Sequence, residues 1–144
     1  MTDRSQLIGT WRALSWTKTF TDTGETVDVL GPDPIGFITY GADGRMHAIF
    51  VRSDRPAPLS IPPSPDEKLA LFDSMFAYAG TYSVLDDRVV HAVDVSWNQG
   101  WTGSQQVRFI KLSGPKLEVT AEPIPDPFTG RPVVGRVLFR KWGS

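Results

Sequence analysis

Cysteine is absent from this chain of 144 residues, which excludes disulfide bridges, thiolate metal sites and a cysteine nucleophile. A continuous apolar run of about 18 residues, the length a membrane helix needs, is also missing. Neither sign of charge dominates: 15 Lys and Arg stand against 16 Asp and Glu, a net charge of −1. That balance offers no basic field for nucleic acid and no polybasic signal for an anionic membrane, so neither is expected as a partner. The opening "MTDRSQ" has no apolar run of the signal-peptide kind, from which a cytoplasmic location is expected. Phosphate-cradling Gly-rich loops, a Gly-x-Ser-x-Gly elbow and an ordered Ser, His and Asp set are not found, which disfavours hydrolase and nucleotide-dependent chemistry.

Proline and glycine, by contrast, are plentiful, with 12 and 13 residues. They divide the chain into short segments that mostly alternate with a period of two, an all-β pattern. Eight strands are expected near 8–19, 35–41, 45–52, 80–85, 88–97, 104–112, 116–121 and 133–142. Turn chemistry in "GADG", "LDDR" and "SGPK" joins sequence neighbours as antiparallel hairpins, so the simplest topology is an up-and-down meander within one domain spanning 1–144. Eight strands leave two raw edges unless the sheet closes, and closure yields a barrel either filled by side chains or hollow enough for one small ligand.

One stretch departs from the pattern. In "SPDEKLALFDSMFAYAG" Ser64, Pro65 and Glu67 form a capping-box helix start, and Leu69, Phe72 and Phe76 recur at helical spacing. A helix reaching a stop at Gly80 and packed on the sheet is expected, between strands three and four. The proline-rich "RPAPLSIPPSP" before it reads as an extended connection.

Which faces line the interior decides the site. In strand one the face of Trp11 continues through the small Ala13, Ser15 and Thr17, leaving space above a Trp11 floor. Alternatively Leu14 and Trp16 form the core and Trp11 covers one end. His91 shares a face with Val89, Val93, Val95 and Trp97 and is the leading acid/base candidate, or else a core histidine bonded to a neighbour. His47 sits on the face of Ile49 and Val51 with the same ambiguity. Gln106 and Arg108 share one face and Val107 and Phe109 the other; inward, the first pair would anchor a carboxylate or polarised carbonyl. Tyr78 and Tyr82 flank Gly80, and Trp97 and Trp101 flank "NQG", either as an aromatic ligand rim or as packing for the helix and loop. Two histidines without an evident further ligand give no metal site.

Through "LIGTWRALSW", "LGPDPIGFITYGADGRMHAIF", "RPAP", "DEKLALFDSMFAYAGTYSV", "HAVDVSWNQGWTGSQQVRFIKL" and "GRPVVGRVLF", taken in order, the chain resembles the small lipocalin-like domain family of bacteria and fungi. The resemblance implies an eight-stranded antiparallel β-barrel with a helix between strands three and four, binding or transforming a small, largely apolar molecule. It also implies that Gly9-x-Trp11 opens the barrel with Trp11 as floor, packed against an Arg of the last strand, Arg140 or Arg136. Secreted lipocalins carry a signal peptide and usually a disulfide; this chain shows neither, so extracellular transport does not carry over.

Three functions are consistent with these features. The first is binding of a small apolar metabolite, with Ala13, Ser15, His47, Phe72, Phe76, Tyr78, Trp97, Trp101 and Gln106 as ligand contacts. The second is a cofactor-free isomerase or cyclase of secondary metabolism acting on a polyketide-like or terpenoid-like substrate, with His91, Tyr82 and Arg108 as its catalytic groups. The third is an interaction protein with a filled barrel and an exposed apolar patch. A monomer or homodimer is expected, with no metal and no cofactor.

Overall fold

The computed structural model describes residues 3–126 and 128–143. A single turn of helix, α1 (Arg4–Leu7), precedes β1 (Gly9–Phe20), β2 (Thr26–Asp28), β3 (Ile35–Tyr40) and β4 (Arg45–Val51). Helix α2 (Pro65–Asp73) leads into β5 (Met75–Leu85), followed by β6 (Arg88–Ser96), a 3₁₀ turn (Gln99–Trp101), β7 (Gln105–Ser113), β8 (Lys116–Ala121), β9 (Ile124–Pro125) and β10 (Pro132–Lys141). Neighbouring strands run antiparallel in the order β1-β3-β4-β5-β6-β7-β8-β10, and β10 pairs back onto β1 from Trp11↔Lys141 to Phe20↔Val133. Eight strands thus close into a barrel without raw edges, with the short β2 and β9 appended to β1 and β10.

Two strands carry one residue more than strict alternation allows. Between Ala13 and Ser15 the β1–β10 register slips, leaving Leu14 as the extra residue. Trp11 and Ala13 face inward before this bulge, while Trp16, Lys18 and Phe20 do so after it. Ser15 and Thr17 therefore leave the inner face, contrary to the alternation expected from the sequence. The second slip lies opposite Ala79 and Gly80, where Asp94 is extra; Val95 turns outward and is 61% exposed. At Gly80 an added Cβ would run into the Ala92 carbonyl oxygen, so the close strand approach at this bulge requires glycine.

Gly80 is therefore not a helix stop. Helix α2 begins as expected, with Ser64 accepting from the Glu67 amide and Glu67 reaching back to the Ser64 amide, but it ends at Asp73. Phe76, Tyr78 and Tyr82 belong to β5, whose side chains alternate in and out. The helix does not bury an apolar face: Leu69 is 62% exposed and Phe72 43%, and Leu59 and Ile61 in the preceding segment are exposed too.

One half of the barrel is packed solid. Trp11 is buried beneath α1, its Nε1 donating to the Leu7 carbonyl at 2.9 Å, with Leu7, Tyr82 and Leu117 in the same core. The cation over the Trp11 ring is Lys141, with Nζ 4.6 Å from the centroid and donating to the Ile8 carbonyl. Arg140 is exposed and Arg136 pairs with Glu118 on the outside, so neither takes the floor role implied by the resemblance. The reason lies in register: Lys141 stands opposite Trp11, and the even-numbered residues Arg136 and Arg140 point outward. Gly9, at φ +126°, leaves room for the Lys141 ammonium, 2.6 Å from where its Cβ would be.

Candidate functional site

The other half of the barrel holds a partly open cavity of about 90 Å³. Inward positions of β1, β4, β5 and β10 bring Trp16, Phe50, Phe76 and Val137 together with Trp101 of the 3₁₀ turn and Phe128 of the β9–β10 loop. The rings interlock, Trp16 edge-on to Phe76 at 5.0 Å and Tyr78 stacked on Trp101 at 5.9 Å. Such walls hold apolar matter and fix its orientation through a few polar groups.

Two polar sets reach the cavity. His91 of β6, only 1% exposed, stands between two phenols: Tyr78 Oη lies 2.6 Å from Nδ1 and Tyr40 Oη 2.8 Å from Nε2. Burial, reinforced by the positive charge of Arg108, holds the imidazole down to about 3, so His91 is neutral. Burial also raises the hydroxyls of Tyr40 and Tyr78, and Arg108 pulls both the other way. Arg108 lines the same wall from β7, because its register partner is Val89 and the even-numbered face of β7, with Ile110 and Leu112, is the inner one. Its Nη1 donates to the Val107 carbonyl at 3.3 Å, its guanidinium also acts on the Tyr78 hydroxyl as a hydrogen-bond donor, and among the described residues it has no carboxylate partner.

The second set is a buried ion pair. Lys18 Nζ donates to Asp126 at 2.8 Å, the two residues being 8% and 4% exposed, and Thr129 donates to the same carboxylate at 2.7 Å. Burial opposes the Asp126 charge, but Lys18 and Thr129 outweigh it and the carboxyl lies below its ordinary value. Lys18 and Asp126 cancel, and Arg108 leaves one uncompensated positive charge in the cavity wall.

Of the residues expected at the site, His91, Arg108, Phe76, Tyr78 and Trp101 line this cavity, and several others do not. Tyr82 lies in the solid half, its hydroxyl donating to the Gly41 carbonyl at 2.7 Å. Ala13 is buried core, and Ser15 is turned out by the β1 bulge. His47 is exposed, because Met46, Ala48 and Phe50 form the inner face of β4. Gln106 stands opposite His91 in register but does not line the cavity, and its Nε2 donates to Ser104 Oγ. Phe72 packs on Trp97 and Trp97 on Phe76, and neither lines the cavity. The buried Trp97 Nε1 has no hydrogen-bond partner among the described residues. Trp16 faces inward as the alternative reading of strand one had it, though Leu14 does not; Lys18, Tyr40 and Asp126 are additions, Lys18 hidden by the bulge and Tyr40 discoverable from its parity with Ile38 in "IGFITY".

A larger cleft of about 590 Å³ lies outside the barrel, between the 52–59 segment and α2. Most of its polar groups are committed, Arg55 to Ser74 and the Leu71 carbonyl, Arg52 to Asp54, and Glu67 to the Leu59 amide. Among the described residues no group of three or more His, Asp or Glu side chains could hold a metal ion, and no helix is long and apolar enough to cross a membrane.

Comparison with known proteins bears on the family and the fold. A family model described as a lipocalin-like domain matches residues 8–141. A lipocalin-like protein from Bacteroides uniformis, 17% identical, superposes with a TM-score of 0.50 over 94% of this chain and 98% of its own. An uncharacterized protein from Bacteroides eggerthii, 16% identical, gives 0.46 over 94% and 99%. Likeness at this identity bears on the fold alone. No curated protein matches the chain.

Proposed function

This chain belongs to the lipocalin-like domain family, and from that premise we propose that it binds a small, largely apolar metabolite inside the barrel. The observation that carries the reading is the aromatic cavity beside a polar wall, in a barrel whose opposite half is packed. At about 10–15 Å³ for each water-sized group, 90 Å³ holds about six to nine such groups, so the part of a ligand held inside is small.

A second reading, a cofactor-independent isomerase or cyclase, is favoured by the Tyr40–His91–Tyr78 chain. A neutral imidazole between two hydroxyls can pass a proton from one to the other. In that reading Tyr78, which borders the cavity, meets the substrate, and His91 serves as its relay. The test is native mass spectrometry of protein taken from extract of its own host, with release and identification of any bound compound, then incubation of that compound with fresh protein. A compound recovered unchanged supports a carrier or sensor. Conversion to an isomer, lost in Tyr78→Phe, supports the enzyme. Recovery of no compound from the barrel in repeated preparations would count against both.

A further inference from the structure

Counting protons on the polar wall assigns a chemical class to the ligand. Tyr40, His91 and Tyr78 carry three hydrogens between them, two phenolic and one on the neutral imidazole, but share only two hydrogen bonds. One hydroxyl proton is therefore left over, and the histidine tautomer decides which. If Nε2 carries the ring proton and donates to Tyr40, the spare proton sits on Tyr40, which is 1% exposed, does not border the cavity and has no second partner among the described residues. A buried donor left unmade costs free energy that the other tautomer avoids. If Nδ1 carries the proton and donates to Tyr78, Tyr40 donates to Nε2 and is satisfied. The spare proton then belongs to Tyr78, on the cavity wall that also presents the guanidinium of Arg108.

We propose that Tyr78 and Arg108 form a two-donor seat for a carboxylate oxygen, so that the apolar molecule held in the barrel carries an acid group. This rests on the barrel being a container. Lys18 is neutralised by Asp126, whereas Arg108 has no carboxylate partner among the described residues, and a bound carboxylate supplies the missing charge. Aromatic rings on the other walls suit the hydrocarbon part.

The experiment has two arms. In the first, the ¹⁵N shifts of the His91 ring are read in the unmodified, unliganded protein. A protonated Nδ1 with a bare Nε2 is expected, and the reverse tautomer overturns the proposal. In the second, butyrate, butyramide and pentane are titrated while the indole N–H signals of Trp16 and Trp101 are followed by NMR. Butyrate is expected to bind most tightly. Arg108→Met should weaken butyrate roughly tenfold or more, as loss of a charge-assisted pair does, with pentane little changed. Tyr78→Phe should weaken butyrate and butyramide alike. If Arg108→Met fails to fold, Arg108→Gln removes the charge in its place. Pentane binding without a preference for butyrate, or a preference that survives loss of Arg108, overturns the carboxylate seat alone. If none of the three perturbs the two indoles, the container reading falls, and this proposal with it.

Discussion

At the scale of single residues, His91 makes the sharpest claim. Its imidazole is held at about 3 against an ordinary value of 6.5, chiefly by burial. Below about pH 6.5 the unfolded chain takes up a proton that the folded protein refuses, so folding is favoured less as pH falls from about 6.5 toward about 3. One proton corresponds to about 1.4 kcal/mol per pH unit. His91→Gln should flatten the pH dependence of urea-unfolding stability by that slope relative to the unaltered protein, and an unchanged slope would remove His91 as its source. The Lys18–Asp126 pair yields a second prediction. Asp126→Asn leaves a buried ammonium without its counter-charge and should lower unfolding stability by about 3–5 kcal/mol. Parity in the sequence carried the inward placement of His91 and one of two open readings for Arg108. Lys18 escaped notice because a charged residue on a strand is ordinarily read as solvated, and its partner Asp126 lies 108 residues away, beyond any local pattern.

At the scale of elements, the two bulges mark where legibility stopped. Period-two alternation located the eight barrel strands, β5 only in its second half, yet one extra residue, Leu14 or Asp94, reverses every side chain after it, and no local composition announces the insertion. Ser15 and Val95 were misplaced for this reason. The 64–80 stretch failed differently. Leu69, Phe72 and Phe76 satisfy a helical period by coincidence, while Phe76, Tyr78, Gly80 and Tyr82 satisfy a period of two, and the strand prevails because its rings reach the core. Two stability measurements separate these accounts. Gly80→Ala should cost about 2 kcal/mol or more, since its Cβ meets a backbone carbonyl that cannot move aside. Leu69→Ala, on an exposed helix face, should change stability by no more than about 0.5 kcal/mol. A large loss at Leu69 would mean that α2 packs more closely than its exposure indicates.

At the scale of the whole molecule, closure of β10 on β1 turns a meander into a container with a solid half, sealed by Trp11 and Lys141, and a hollow half bordered by Trp16, Phe76 and Trp101. The division follows from side-chain size and from the β1 bulge, which sends Trp16 and Lys18 into the interior where Ser15 and Thr17 would otherwise stand. The central claim is that this hollow accepts apolar matter. The most direct measurement is a crystal structure under xenon pressure, because xenon enters dry apolar cavities and is located by its own scattering. A xenon site inside the barrel, between Trp16, Phe50 and Phe76, is the expected result. Xenon found only on the surface, with the same rings closed upon one another, would contradict it.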